Sequence, residues 1–134
     1  MALISTKGIY GLSALCVIKD NTSGFPLQKR EIAIRANIPE NYLDILMSKL
    51  KKAGIVKSIR GVNGGYVLAQ ELSTIKVIDV LLILEDDLKV LSAHFEHPVL
   101  EPFFEDAKIK IHDVFNFPLT ELIEYKKDVL NFTI

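Results

Sequence analysis

Apolar and polar positions alternate along the chain with helical spacing, interrupted once by a short stretch of β character. From Pro39 to Ala69 the order is helix, glycine stop, strand, glycine-rich turn and strand, and the remaining segments flank this unit. Leu43, Leu46, Met47 and Leu50 recur at spacings of three and four, which places them on one helical face. Pro39 suits the first turn of this helix, where a missing N–H leaves nothing unpaired. Gly54, just after Lys51 and Lys52, reads as a left-handed stop with cations near the negative pole of the helix. Ile55 to Ile59 is rich in β-branched residues and reads as a strand, with Tyr66 to Leu68 as its partner. Gly61, Asn63, Gly64 and Gly65 supply the turn between them.

Upstream, Ser5 can cap a helix running to about Asp20, with Ile9, Leu12, Leu15, Cys16 and Ile18 as its apolar set. Gly8 and Gly11 inside it each cost roughly 1 kcal/mol relative to Ala, which predicts a closely packed neighbour. Leu27 to Ala36 is a second, short helix with Ile32 and Ala33 inward and Lys29, Arg30 and Arg35 outward. Downstream, Val77 to Leu84 is apolar almost all round and so reads as a buried helix. A long helix is expected over about residues 98–117, with Pro98 and Pro102 in its first turn. Its residues Leu100, Phe104, Ala107, Ile111 and Val114 follow heptad spacing, the pattern of a helix–helix seam. Pro118 breaks it, and a last helix runs from Leu119 to Leu130 with Leu122, Tyr125 and Val129 on one side.

The expected fold class is therefore mostly α with a small β-hairpin. Residues 1–74 would form a winged helix-turn-helix domain, and residues 75–134 a C-terminal helical region. No apolar run in the 134 residues approaches the roughly 20 needed for a membrane span, and the N-terminus lacks a signal-peptide core. A single cysteine, Cys16, excludes an intrachain disulfide and fits a reducing cytoplasm.

Charge sharpens the picture. The net charge of −1 conceals ten Lys or Arg against four acids in residues 1–70, and six against thirteen in residues 71–134. A basic first half is the footprint of a phosphate-binding face, whereas the acidic second half would be repelled by DNA. On the polar side of the central helix stand Asn41, Asp44, Ser48, Lys49 and Lys52, and the hairpin carries Lys57, Ser58, Arg60 and Asn63. Such a helix would enter a major groove of double-stranded DNA while the hairpin reaches flanking phosphate or minor groove.

The segment Tyr42-Leu43-x-x-Leu46-x-x-x-Leu50 through Ala53-Gly54-x-Val56-x-Ser58-x-Arg60-Gly61-x-x-Gly64-Gly65-Tyr66-x-Leu68-Ala69 resembles the signature of the Rrf-two family of bacterial transcription regulators. The start, Ile4 to Gly8 with Tyr10, and the tail after Thr74 resemble it too. The resemblance implies a cytoplasmic, sequence-specific DNA-binding homodimer, a repressor of a palindromic operator, with no enzymatic activity. Lys7, Tyr10, Lys29, Asn41, Tyr42, Asp44, Lys49, Ser58, Arg60, Gly61, Asn63, Gly64 and Gly65 would hold DNA. Leu100, Phe104, Ala107, Ile111 and Val114 would form the dimer seam.

The departures are as informative. Cluster-binding members carry three cysteines in the loop before the long helix, and this chain has none between Leu81 and Ile111. Thiolates are the standard cluster ligands, so no metal or cofactor is expected. The effector would be a protein partner, a small molecule, or none. Asn41, Asp44 and Ile45 replace the residues usual around Leu43; Asn41 can pair with adenine and Asp44 can accept from cytosine. Ile45 would meet a thymine methyl or belong to the core. Two other function classes remain: an interaction module that kept the fold but lost DNA binding, and a metal or catalytic site on His94-x-x-His97, Glu101 and His112. The intact basic half and wing weigh against the first, and the absence of a nucleophile–base set against the second.

Overall fold

The computed structural model describes residues 2–85, 88–91 and 93–132, with side chains to Tyr125. Six α-helices and one hairpin follow in the order α1 (Thr6–Asp20), α2 (Lys29–Ala36), α3 (Glu40–Lys52), β1 (Val56–Ile59), β2 (Gly65–Leu68), α4 (Val77–Leu84), α5 (Leu100–Val114) and α6 (Leu119–Phe132), with a single 3-10 turn at Leu72–Thr74. Asp86 and Asp87 of the acidic run, and the side chain of Val129, lie outside the described residues.

The expected stops operate locally. Asn37 takes a left-handed φ of 55° and ends α2. Gly54 (φ 76°) ends α3: its N–H donates to Lys51 O and that of Ile55 donates to Leu50 O, the paired bonds of a Schellman motif. Pro39 is the residue before α3 rather than its first member, and Pro102 falls in the first turn of α5.

One core joins α1, α2, α3, β1 and α4, centred on Leu15, Ile32, Leu43, Leu46, Met47, Leu50 and Leu81. It does not stop at residue 74. Helix α4 packs on α1 and α3, and Leu119, fully buried, closes the same core from the far end of the chain. The N–H groups of Val77 and Ile78 donate to Phe117 O and Phe115 O, and that of Leu119 to Ile75 O, so α6 begins where α4 begins. The glycines of α1 work as anticipated: a Cβ on Gly11 would stand 2.1 Å from Leu84 Cδ1. Helix α4 can therefore lie directly against α1.

Three expectations change. Ile9 faces solvent; the buried positions of α1 are Gly8, Gly11, Ala14, Leu15 and Ile18. A helix apolar on most sides gives no reading of which side is inward. Helix α2 begins at Lys29, not Leu27, because Leu27 is used as a strand residue. Its N–H donates to Tyr66 O at 3.0 Å and its C=O accepts from Tyr66 N–H at 2.8 Å, adding a third edge to the hairpin. The long helix spans Leu100–Val114 rather than 98–117, since the N–H groups of Val99 and Leu100 donate to His97 Nδ1 and Phe115 leaves the helix.

Candidate nucleic-acid interface

Helix α3 presents a divided surface. Leu43, Leu46, Met47 and Leu50 are buried, while Asn41, Asp44, Ile45, Ser48 and Lys52 are exposed and Lys49 is half-buried. Ile45 is 57% exposed, which removes the core reading and leaves an apolar patch on the outer face. Asn41 Oδ1 accepts from the Tyr42 N–H at 3.0 Å.

Tyr42 is half-buried and meets Tyr10 of α1 edge to face, with ring centroids 5.5 Å apart at 83°. Both rings pack partly on the core, so their first role is to fix α3 against α1. Lys7, in the first turn of α1, is half-buried.

Lys29 and Asp44, expected to face DNA separately, are brought together. Lys29 Nζ stands 2.9 Å from Asp44 Oδ1 and 4.0 Å from Glu40 Oε1, tying the first turn of α2 to α3. The hydrogen bond that Lys29 donates to the Asp44 carboxylate raises the ammonium's pKa above the ordinary lysine value, so it is charged at neutral pH. In the free protein, Asp44 is thus engaged by a neighbour rather than waiting for a base.

The hairpin pairs Val56 with Leu68, Lys57 with Val67, Ser58 with Tyr66 and Ile59 with Gly65. Ser58, Arg60, Gly61, Val62 and Asn63 are exposed at its end. The glycines there answer to backbone geometry. Gly61 has φ 121°; a Cβ on Gly64 would sit 2.2 Å from Ile59 O, and one on Gly65 would sit 2.6 Å from Leu27 O. The Gly64 N–H donates to Gly61 O at 3.0 Å, so this amide closes the turn. What stands exposed is side chains: Arg60 and Asn63 at the turn and Lys57 on β1.

The C-terminal helices differ. None of α5 is buried: Phe104, Ala107 and Ile111 are half-buried, while Leu100 and Val114 are exposed, with Val99, Phe103 and Ile109 beside them. Residues 89–91, residues 93–95 and the first turns of α5 border an open cavity of about 370 Å³ lined by Lys89, His94, Glu101, Phe104, Glu105 and Lys108. Among the described residues no three His, Cys, Asp or Glu side chains converge as a metal site. His97 Nδ1 accepts from the N–H groups of Val99 and Leu100 at the start of α5, a structural task. No described helix is long and apolar enough to cross a membrane.

Comparison with known proteins places this arrangement. Residues 4–122 match the model of the Rrf2 family, described as iron-dependent transcriptional regulators. The chain is 37% identical over 110 residues to the HTH-type transcriptional regulator CymR of Bacillus subtilis (strain 168), covering 82% of this chain and 78% of CymR. It is 34% identical over 91 residues to the regulator IscR of Vibrio atlanticus (strain LGP32), covering 68% of this chain and about half (53%) of that relative. Among solved structures it superposes on CymR, the global cysteine regulator of B. subtilis, with a TM-score of 0.78 and 35% identity across 93% of this chain and 98% of that one. The IscR of T. potens gives a TM-score of 0.77 at 35% identity across 94% and 89%. The family's description names iron, but this chain has one cysteine, Cys16 on α1, and none in the segment before α5. The residues present there do not fit a thiolate-held cluster. With the helix-turn-helix, the hairpin and the trailing helices all matched over nine-tenths of its length, the chain belongs to the Rrf2 family of transcriptional regulators.

Proposed function

We propose that this protein is a cytoplasmic, homodimeric repressor that binds a palindromic operator. The observation that carries the reading is the rigid α3–hairpin unit, with an exposed polar face on α3 and Arg60 and Asn63 at the hairpin end. Asn41, Asp44, Ile45 and Lys49 would lie in the major groove, with Tyr42 steadying the helix from behind. Arg60 would enter the minor groove or grip its phosphates, while Ser58, Asn63 and the turn of Gly61, Gly64 and Gly65 lie along the backbone. Lys7, Tyr10 and Lys29 would flank the groove on phosphate.

The dimer rests on α5, whose apolar side chains are left uncovered by the chain's own core. Leu100, Phe104, Ala107, Ile111 and Val114 would meet the same residues of a second copy, an isologous contact that suits a palindrome. Residues 1–74 would be the DNA-reading unit, with α4 as its back wall, and residues 75–134 the dimerisation and effector region. The cavity beside Glu101 and Lys108 is the place for a small effector, and the exposed apolar segment around Phe95 for a protein one.

The test is selection of duplexes by the purified protein from a randomised pool, followed by titration across salt. Two inverted half-sites centred about 10 base pairs apart are expected, with affinity falling steeply as salt rises. A pool that emerges without a common sequence would sink the reading.

A further inference from the structure

Helix α1 lacks one member of its own capping motif, and α4 supplies it. A capping box joins an N-cap serine to a Glu or Gln at the third helical position, whose side chain returns to the N-cap N–H. Here the N-cap is Ser5 and the third helical position is Gly8. One half of the motif is local, since the Lys7 N–H donates to Ser5 Oγ at 3.2 Å. The other half arrives from 80 residues away: the Ser5 N–H and the Ser5 hydroxyl both donate to the carboxylate of Glu85. Gly8 leaves the space for it, because a Cβ there would lie 3.0 Å from Glu85 Oε2 and 2.9 Å from Leu81 Cδ2.

Glu85 is itself held on both sides. Its N–H donates to Leu81 O at 2.7 Å, and its C=O accepts from the Leu88 N–H at 3.3 Å. Leu88 is 1% exposed and adopts φ 47°, a left-handed conformation that a leucine keeps only when burial compensates. The carboxylate is thus anchored at the end of α4, just before the chain enters the segment that borders the α5 cavity. At its other end it sets the first turn of α1, which carries Lys7 and, one turn on, the Tyr10 ring that abuts Tyr42 of α3.

We infer that Glu85 is a positioning residue for the DNA interface: by completing the α1 cap in trans it fixes Lys7 against the DNA backbone and links the segment after α4 to that contact. Charge-assisted bonds to a carboxylate are about twice as strong as neutral ones, and a carboxylate at a helix N-terminus also meets the positive pole. Without it the first turn loses two of its bonds and frays, and Lys7 frays with it. The inference rests on the DNA-binding reading above, and in particular on Lys7 as a backbone contact.

The experiment is a set of binding cycles on a duplex selected by the parent protein from a random pool. Glu85→Ala should weaken binding about five- to tenfold, the scale of a lost cap with charged bonds, with unchanged far-UV circular dichroism. The same substitution in a Lys7→Ala background should cause no further loss, whereas in an Arg60→Ala background it should cause the full factor. Equal losses in both backgrounds would show that Glu85 acts on stability alone, and parent-like binding by Glu85→Ala would also overturn the inference. If Lys7→Ala binds like the parent while Arg60→Ala does not, the inference falls and the DNA-binding reading stands; if no duplex is selected, both fall. Glu85→Gln, which keeps one acceptor for the Ser5 N–H, replaces the alanine variant should that fail to fold, with a smaller loss and the same dependence on background.

Discussion

Helices α3 and α5 are of similar length, 13 and 15 residues, and both have an apolar side, yet α3 buries four residues and α5 none. The apolar stripe of α3 is met by α1, α2 and α4, which leaves its polar side outward and fixed. The apolar side of α5 is met by nothing comparable. Among the described residues, the half-buried side chains packed on the core include none from α5, and Val114 is 68% exposed. A single exposed apolar side chain needs no explanation, but a row of them along one helix does. The two helices therefore differ in what they leave open: α3 is completed within the chain and keeps a polar side outward, whereas the apolar side of α5 is free for the second copy proposed above. Charge follows the same division, with cations gathered in residues 1–70 and acids in residues 71–134.

The largest test of this contrast is Ile111→Asp. At the proposed seam it places a charge in an apolar interface, costing about 3–5 kcal/mol of association. Sedimentation should give a dimer for the parent at micromolar concentration and a monomer for the variant, with the helical signal retained. A monomeric parent would remove the contrast altogether.

Gly65→Ala breaks the other side of the comparison, the completeness of the DNA-reading unit. Its Cβ would meet the Leu27 backbone at 2.6 Å, and a backbone cannot swing aside as a side chain can. A destabilisation of about 3 kcal/mol is expected, seen as a lower denaturant midpoint, with the hairpin amides exchanging faster. An unchanged midpoint would mean that the Leu27–Tyr66 pairing contributes little.

Arg60→Ala sharpens the functional half. Operator affinity should fall by about 1–3 kcal/mol while fold and dimer persist, and a phosphate contact would lower the salt slope by about one unit. Parent-like binding at every salt concentration would show that the hairpin does not read DNA. The smallest effect belongs to Asp44→Ala. The pair with Lys29 is exposed and screened by water, so stability should barely move, and sequence preference should change without a change in salt slope. The pair should also be insensitive to pH near neutrality. With the Lys29 pKa raised above 10.5, its contribution is fully present below that value and is lost only as pH climbs through the higher one.

How much of this could be read from the sequence follows from the distance over which each signal acts. The α3–hairpin unit was legible because each cue lies within a turn of its effect: the spacing of Leu43, Leu46, Met47 and Leu50, the stop at Gly54, the glycines of the hairpin end. The resemblance of the same residues to a known family added the function. The strand role of Leu27 was not legible, since one bridged residue has no periodicity to show. Neither was the Lys29–Asp44 pair, which joins residues 15 apart on different helices. The orientation of α1 was hidden for another reason: with apolar residues on most sides, it is the glycines that mark the packed face, and they do so only once α4 is in place. His97 gave a metal-like spacing in the sequence and turned out to be an acceptor for the N–H groups at the start of α5.

The two main-chain bonds between Leu27 and Tyr66 have a consequence for how the protein meets its ligand. Two four-residue strands alone form a hairpin that is marginal in water, free to bend about its base. Stitched to the residue that leads into α2, the hairpin becomes part of the same rigid body as the helix-turn-helix. The ordering entropy of the wing is then settled when the chain folds, not when DNA arrives. Encounter becomes a matter of docking one preorganised surface. In the proposed dimer, any change in half-site spacing would therefore come from how the two copies pivot about α5.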